Sequence, residues 1–169
     1  MWTPLEGRAA VQKITPFLWF DHQAEEAMNF YVSVFKNSKV VSVTRNGDSG
    51  PGPKGTLFVG AFEIEGQEFQ VLNGGPLFQF TEAISFFVKC ESQEEIDDLW
   101  QKFTDGGGKP DRCGWLKDKY GVSWQIIPTV LGKLLHGPDA EGSKRALAAM
   151  MQMIKLDIAA LQKAYDGAS

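Results

Sequence analysis

The sequence predicts an α+β fold: two βαβββ modules supplying the eight strands of one curved mixed sheet, with helices at the C-terminal end. Three observations carry this prediction. Short apolar runs of strand length alternate with two helical patterns, each opened by acidic residues. The run that begins at Thr15 is repeated from Ile84. After residue 131 the pattern becomes helical and stays so.

Residues 1–12 carry neither periodicity nor a cap and form an N-terminal extension. Residues 11–20, VQKITPFLWF, are apolar on both alternating faces, as in a strand covered on both sides. In the helix that follows, Ala27, Phe30, Tyr31, Val34 and Phe35 recur at helical spacing, and Glu25 and Glu26 sit in the first turn, where the helix dipole favours them. VVSVT is a second strand. Residues 46–55, NGDSGPGPKG, are almost all turn-formers and predict a mobile loop in the position of a lid. TLFVGAFEIE and QEFQVL make a hairpin around Gly66, and AISFFVKC is a further strand. Ser92 followed by Glu95 is a capping box opening a second helix, and DGGG closes that helix. CGWLKDKYGVSWQIIP supplies two strands around a Lys-Tyr-Gly turn. In the tail, Leu147, Met150, Met151, Ile154, Ile158, Leu161 and Tyr165 form one stripe, with Asp157 placed to cap a second short helix. The domain thus spans 13–130, in modules of about 13–75 and 80–130. Residues 131–169 form a tail packed on the domain or on a twin subunit.

Composition narrows the functional classes. A formal net charge of -4 with scattered Lys and Arg argues against a nucleic-acid surface. The two cysteines, Cys90 and Cys113, make no disulfide framework, and no apolar run approaches the ~20 residues of a membrane span. A cytoplasmic protein without membrane partners is expected. The 12 Phe and 5 Trp promise an aromatic core and a cavity lined by rings.

The repeat is legible residue by residue. TPFLWFDHQAEEAMNFY aligns without gaps on ISFFVKCESQEEIDDLW, so that Pro16 falls on Ser85, Glu25 on Glu94 and Tyr31 on Trp100. EFQVL (68–72) matches SWQII (123–127), pairing Gln70 with Gln125. With ITPFLWFD, GQEFQVLNGGP, CGWLKDKYGVSWQIIP and KLDIAAL, the chain resembles the PhnB-like branch of the vicinal oxygen chelate superfamily, the glyoxalase and bleomycin-resistance fold, from about Lys13 to Asp166. That resemblance implies the glyoxalase-like curved sheet and a homodimer. Some members of this branch carry a 3-demethylubiquinone 3-methyltransferase label, which the sequence does not support, because no glycine-rich loop joins a strand to a helix to hold a methyl donor.

Metal-using members draw four ligands, two per half, from the first and last strands. The resemblance and the repeat both align those places with Pro16, Gln70, Ser85 and Gln125. Proline offers no side-chain donor, a serine hydroxyl is a poor ligand, and two amides bring no charge, so neither a metal nor any other cofactor is expected. A slip of one residue would put Phe17 and Phe86 in the ligand places with the same outcome. Strand alternation places Pro16, Leu18, Leu72, Ser85, Phe87 and Ile127 on the face of the two glutamines, and Phe17, Trp19, Phe69, Phe86 and Trp124 on the helix-covered face. The expected ligand pocket is therefore Pro16, Leu18, Gln70, Leu72, Ser85, Phe87, Cys113 and Gln125.

Cys113, at the pocket edge, is the one candidate nucleophile, and it also reads as a small buried hydrophobe. His22 and His136 lie in loops, and Glu63 and Glu65 lie on a solvated strand face from which one could serve as a base. The expected function is binding of a flat or apolar small molecule. The alternatives are a glyoxalase- or dioxygenase-like enzyme, argued by fold analogy alone, and an interaction module whose tail helices mediate dimerisation.

Overall fold

A computed structural model describes residues 12–168, so all of the expected N-terminal extension except Gln12 lies outside the described residues. The chain divides into two compact units, one running to Phe78 and the other from Gln79. Each has the order βαβββ predicted by the repeat. The eight strands, however, lie in two four-stranded mixed sheets and do not join into the single expected sheet. No helix among the described residues is long and apolar enough to cross a membrane.

The first unit contains β1 (Phe17–Phe20), α1 (Ala24–Val34), β2 (Ser38–Arg45), β3 (Leu57–Ile64) and β4 (Gln67–Asn73), with sheet order β1-β4-β3-β2. β1 runs parallel to β4, and β3 and β4 form the predicted hairpin, where Glu65 and Gly66 both take positive φ (50° and 80°). One face of the sheet packs on α1. There Tyr31 stacks on Phe62 and Phe62 on Phe69, with ring centroids 5.9 and 5.2 Å apart. Met28, absent from the periodic set read from sequence, is also buried here, and Gly60 lets its sulfur approach the sheet.

Gln23 gives α1 no side-chain cap. That role falls to Asn73, at the end of β4, whose Oδ1 accepts the Ala24 N–H at 2.8 Å while its Nδ2 donates to the Leu57 carbonyl at 2.9 Å. One side chain therefore ties the helix start to two strands. The 46–55 segment is less free than its composition implies. Asn46 is buried; its carbonyl accepts the Gly55 N–H at 2.8 Å, its backbone N–H donates to the Thr56 carbonyl at 2.9 Å, and its Nδ2 reaches Thr56 Oγ1 at 2.9 Å.

The second unit contains β5 (Ser85–Cys90), α2 (Gln93–Asp105), β6 (Lys109–Pro110), β7 (Trp115–Lys117) and β8 (Ser123–Pro128), with sheet order β5-β8-β7-β6. Ser92 caps α2 by accepting the Glu95 N–H at 3.2 Å, and the Glu95 carboxylate reaches back to the Glu91 N–H at 2.8 Å. The helix ends before Gly107, whose φ of 94° only glycine adopts readily. Trp124 packs under α2 between Phe86 and Phe103, at centroid distances of 5.2 and 5.0 Å.

The tail folds as α3 (Leu131–Leu135), α4 (Ala140–Met150) and α5 (Ile158–Asp166). Asp157 caps α5 as expected, accepting the Ala160 N–H at 2.8 Å. The expected single stripe divides. Leu161 is buried with Leu134, Ala146 and Leu156 against Ile127 of β8, whereas Leu147, Met151 and Ile154 are exposed. The chain between α4 and α5 runs along the segment before β7: Cys113 and Gly114 donate their backbone N–H groups to the carbonyls of Met153 and Ile154, at 2.8 and 2.7 Å.

Candidate functional site

The register of β5, β8 and β7 builds a cavity on the face of the second sheet that α2 does not cover. Gln125 of β8 stands opposite Phe87 on the parallel strand β5 and opposite Trp115 on the antiparallel strand β7. Side chains in register share a face, so the amide lies between two aromatic residues. Gln125 Nε2 donates to Ser85 Oγ at 2.8 Å, which fixes the amide's orientation. One step along β8, Ile127 stands opposite Lys89. Leu131 and Leu135 of α3 and Met150 at the end of α4 wall the far side, and Cys113 completes the lining near Met150. The cavity holds about 560 Å³, within the range of small-ligand sites. The sequence-predicted residues Ser85, Phe87, Cys113 and Gln125 are thus brought together, along with Ile127.

In the first unit the prediction needs correction. β1 pairs Phe17 with Gln70, Leu18 with Val71 and Trp19 with Leu72. The face that carries Gln70 and Leu72 therefore also carries Phe17 and Trp19. Leu18 lies with Val71 on the helix-covered face, where it is 7% exposed, and strand alternation puts Pro16 on Leu18's side. Pro16 enters the ladder only through its carbonyl, which accepts the Gln70 N–H at 2.9 Å. Trp19 turns its indole N–H to the Gly75 carbonyl at 2.9 Å and meets Phe78 edge-on.

The error lies in the gap-free alignment. Phe17 faces Gln70 and Phe87 faces Gln125, so the structural partner of Phe17 is Phe87, 70 residues on, and not Phe86. The helix caps Gln23 and Ser92 are 69 residues apart. The strand-to-helix turn of the first unit is longer by one residue, and a single extra residue reverses every side chain of a strand.

A divalent cation of the kind held by metal-using relatives does not fit these residues. The first unit offers Phe17 beside Gln70. The second offers Phe87 beside Gln125, whose amide is already bonded to Ser85. Phenyl rings have no lone pair to give, and neutral amides bring no charge to hold zinc or nickel. Among the described residues no group of three or more His, Cys, Asp or Glu side chains converges.

The family model described as 3-demethylubiquinone-9 3-methyltransferase matches residues 12–127. The chain belongs to this family. It is the PhnB-like branch expected from the motifs. A PhnB protein of Bacillus cereus, described provisionally under the same methyltransferase name, is 43% identical, with a TM-score of 0.65 over 70% of this chain and 100% of its own. A protein of Pseudomonas aeruginosa is 19% identical, with a TM-score of 0.56 over 67% of this chain and 94% of its own, and shares the fold. A glyoxylase/bleomycin resistance protein/dioxygenase domain from Frankia is 11% identical, with a TM-score of 0.45 over 68% of this chain and 90% of its own. No curated protein matches.

The other candidate residues of this PhnB-like chain have the following surroundings. Cys113 has a positive φ of 58°, and its sulfur faces the Met150 carbonyl at 3.6 Å and Met151 Sδ at 3.8 Å, neither of which can take its proton. His22 is exposed and pairs with Asp21 at 3.2 Å. His136 is exposed at the end of α3. Glu63 shares the Gln70 face but pairs with Lys39 at 3.6 Å, and Glu65 sits in the hairpin turn.

Two residues of the site, one that anchors its floor and one that lines it, were missed from sequence. Asp118, 4% exposed, accepts the N–H groups of Tyr120, Val122 and the Trp124 indole. Lys89, on β5, lines the cavity. An aspartate opening a tight turn three residues before its glycine, Gly121, was the available signal for the first; the second carried none.

Proposed function

We propose that this PhnB-like protein binds a flat, largely apolar small molecule in the cavity of its second unit. The observation that carries the reading is the pairing of Gln125 with Phe87 and Trp115 across the floor of a cavity of about 560 Å³ whose walls are mostly aliphatic, with Lys89, Thr129 and Cys113 as the other polar members. Apolar walls supply affinity by removing ligand surface from water, and a held amide supplies orientation. The donor chemistry favours binding without a metal over a glyoxalase- or dioxygenase-like reaction. The methyltransferase name of the family gains no support from this chain, since the strand-to-helix turns, Asp21–Gln23 and Glu91–Ser92, contain no glycine at which a methyl donor's backbone-bound groups would sit. A cytoplasmic location fits the two unpaired thiols, Cys90 and Cys113. A homodimer fits the exposed Leu147, Met151 and Ile154, and sedimentation as a monomer at micromolar concentration would remove that part of the proposal.

The test is native mass spectrometry of the protein taken from cell extract, followed by a thermal-shift screen of aromatic and antibiotic ligands. Wild-type protein is expected to carry a small molecule or to be stabilised by members of the screen. Phe87→Arg, at a position 55% exposed and so tolerant of change, is expected to abolish both effects while leaving the melting temperature in place. A stoichiometric transition metal, or no ligand by either method, overturns the reading.

A further inference from the structure

We infer that the ligand of this cavity is a monoanion: a flat apolar body bearing one carboxylate-type group, held by Lys89. The inference rests on the cavity being the binding site. Of the residues that line it, Lys89 alone carries a formal charge. Its position is fixed by the strand: it shares a face with Ser85 and Phe87 on β5 and stands opposite Ile127 on β8. Lys89 is exposed, and among the described residues it has no ion-pair partner, whereas eight other Lys and Arg side chains pair with acids. Glu91, just past the end of β5, accepts from Thr129 Oγ1 at 3.0 Å. On a chain of net charge -4, the one formal charge lining the cavity is therefore a cation that no acid of the described chain engages.

The chemistry of the lining limits the anion. A phosphate or dianion calls for several donors, typically an arginine fork or a row of backbone N–H groups. Here the Lys89 ammonium is the one charged donor; of the neutral donors, the Thr129 hydroxyl is given to Glu91 and one N–H of the Gln125 amide to Ser85, which leaves the other amide N–H and the Trp115 indole. A single negative charge matches that supply. The aromatic and aliphatic residues Phe87, Trp115, Ile127, Leu131 and Met150 then take the ring system, with the charged end toward Lys89. No bond is made or broken in this scheme; the recognition is electrostatic and hydrophobic.

The experiment uses the full chain and matched probes, 2-naphthoate and 4-phenylbenzoate against their neutral amides, by isothermal titration calorimetry at low and high salt. The acids are expected to bind about five-fold more tightly than the amides at low salt, the scale of a partly exposed ion pair, with the difference shrinking as salt rises. Lys89→Met keeps the aliphatic stem and removes the charge. It is expected to bring the acids down to the amides and to leave the amides unchanged, with the melting temperature confirming the fold. If acids and amides bind equally, or Lys89→Met does not alter the acids, the anion inference falls and the apolar-site reading stands. If none of the four probes binds at millimolar concentration, the site reading falls and the inference with it.

Discussion

Replacing Asp118 with Asn tests the anchor that sets the floor of the cavity. Its Oδ1 accepts the Tyr120 and Val122 N–H groups at 2.9 and 3.0 Å, and its Oδ2 accepts the Trp124 indole N–H at 2.9 Å. Asp118 and Trp124 are 4% and 2% exposed, so water cannot easily replace a lost partner. Asparagine has one acceptor oxygen to offer. If that oxygen serves the turn, the NH₂ group meets the indole N–H donor to donor; if it serves the indole, two backbone donors lose their partner. One orphaned buried donor costs about 1–3 kcal/mol, and the surviving bonds lose the assistance of charge. Relief of the buried charge offsets part of this, leaving a net loss of about 2–3 kcal/mol. Equilibrium urea unfolding followed by circular dichroism measures it. In a Trp124→Phe background the donor clash is gone, and the cost of Asp118→Asn is expected to fall by at least ~1 kcal/mol. Equal stability of Asp118→Asn and wild type, or an equal cost in both backgrounds, would refute the reasoning. The functional link is direct, because Gln125 follows Trp124 on β8 and this turn sets the β7–β8 register that puts Trp115 beside it.

Three further expectations are open to measurement. Cys90 is wholly buried, and burial, with the nearby Glu95 charge, pushes its thiol from 9.0 to about 12; Ellman's reagent at pH 8 is therefore expected to titrate Cys113 alone in native protein and both thiols after unfolding. Because the folded state keeps a proton that the unfolded state releases, stability is fully present below pH 9 and falls as pH rises from 9 towards 12, and Cys90→Ala is expected to flatten that decline by up to ~1.4 kcal/mol per pH unit. The side chain of Gln93 holds the tail through both atoms, donating to the Leu156 carbonyl at 3.1 Å and accepting the Ile158 N–H at 2.9 Å. Gln93→Ala is expected to raise amide exchange over residues 153–161 by the equivalent of about 1–3 kcal/mol without moving the strands of either sheet, and unchanged exchange there would contradict the latch. Finally, paired histidines at Phe17 and Gln70 stand on neighbouring strands roughly 5 Å apart and are expected to bind Cu(II) at least ~10-fold more tightly than wild type, whereas histidines at Pro16 and Gln70 face opposite ways and gain nothing; the reverse result would restore the gap-free register.

Periodicity and repetition carried most of the fold. The hairpin at Gly66, the Ser92 capping box and the Asp157 cap are local, and local chemistry is written in neighbouring residues. What escaped was set at a distance. The cap of α1 comes from Asn73, 49 residues away, so nothing around Gln23 announces it. The closure of the glycine-rich loop depends on burial of Asn46, which its polar composition conceals. Whether eight strands make one sheet or two depends on hydrogen bonds between edge strands, for which alternation carries no signal.

The β1 register shows how a correct repeat can mislead about a site. Helix to helix the halves align without a gap, and the strong helical signal fixed the offset for the strand as well. A helix tolerates a one-residue drift as a 100° rotation, but a strand converts it into a full reversal of faces. The same comparison explains how the second unit comes by its cavity. Gln70 and Gln125 hold equivalent places, each beside a phenylalanine on the parallel neighbour, yet the antiparallel neighbour gives Gln70 an alanine, Ala61, and gives Gln125 a tryptophan, Trp115. Leu131, Leu135 and Met150 then come from the tail, a segment with no counterpart in the first unit. The shared pattern built the scaffold twice; the lining of the cavity arises from the residues at which the second copy departs from the first.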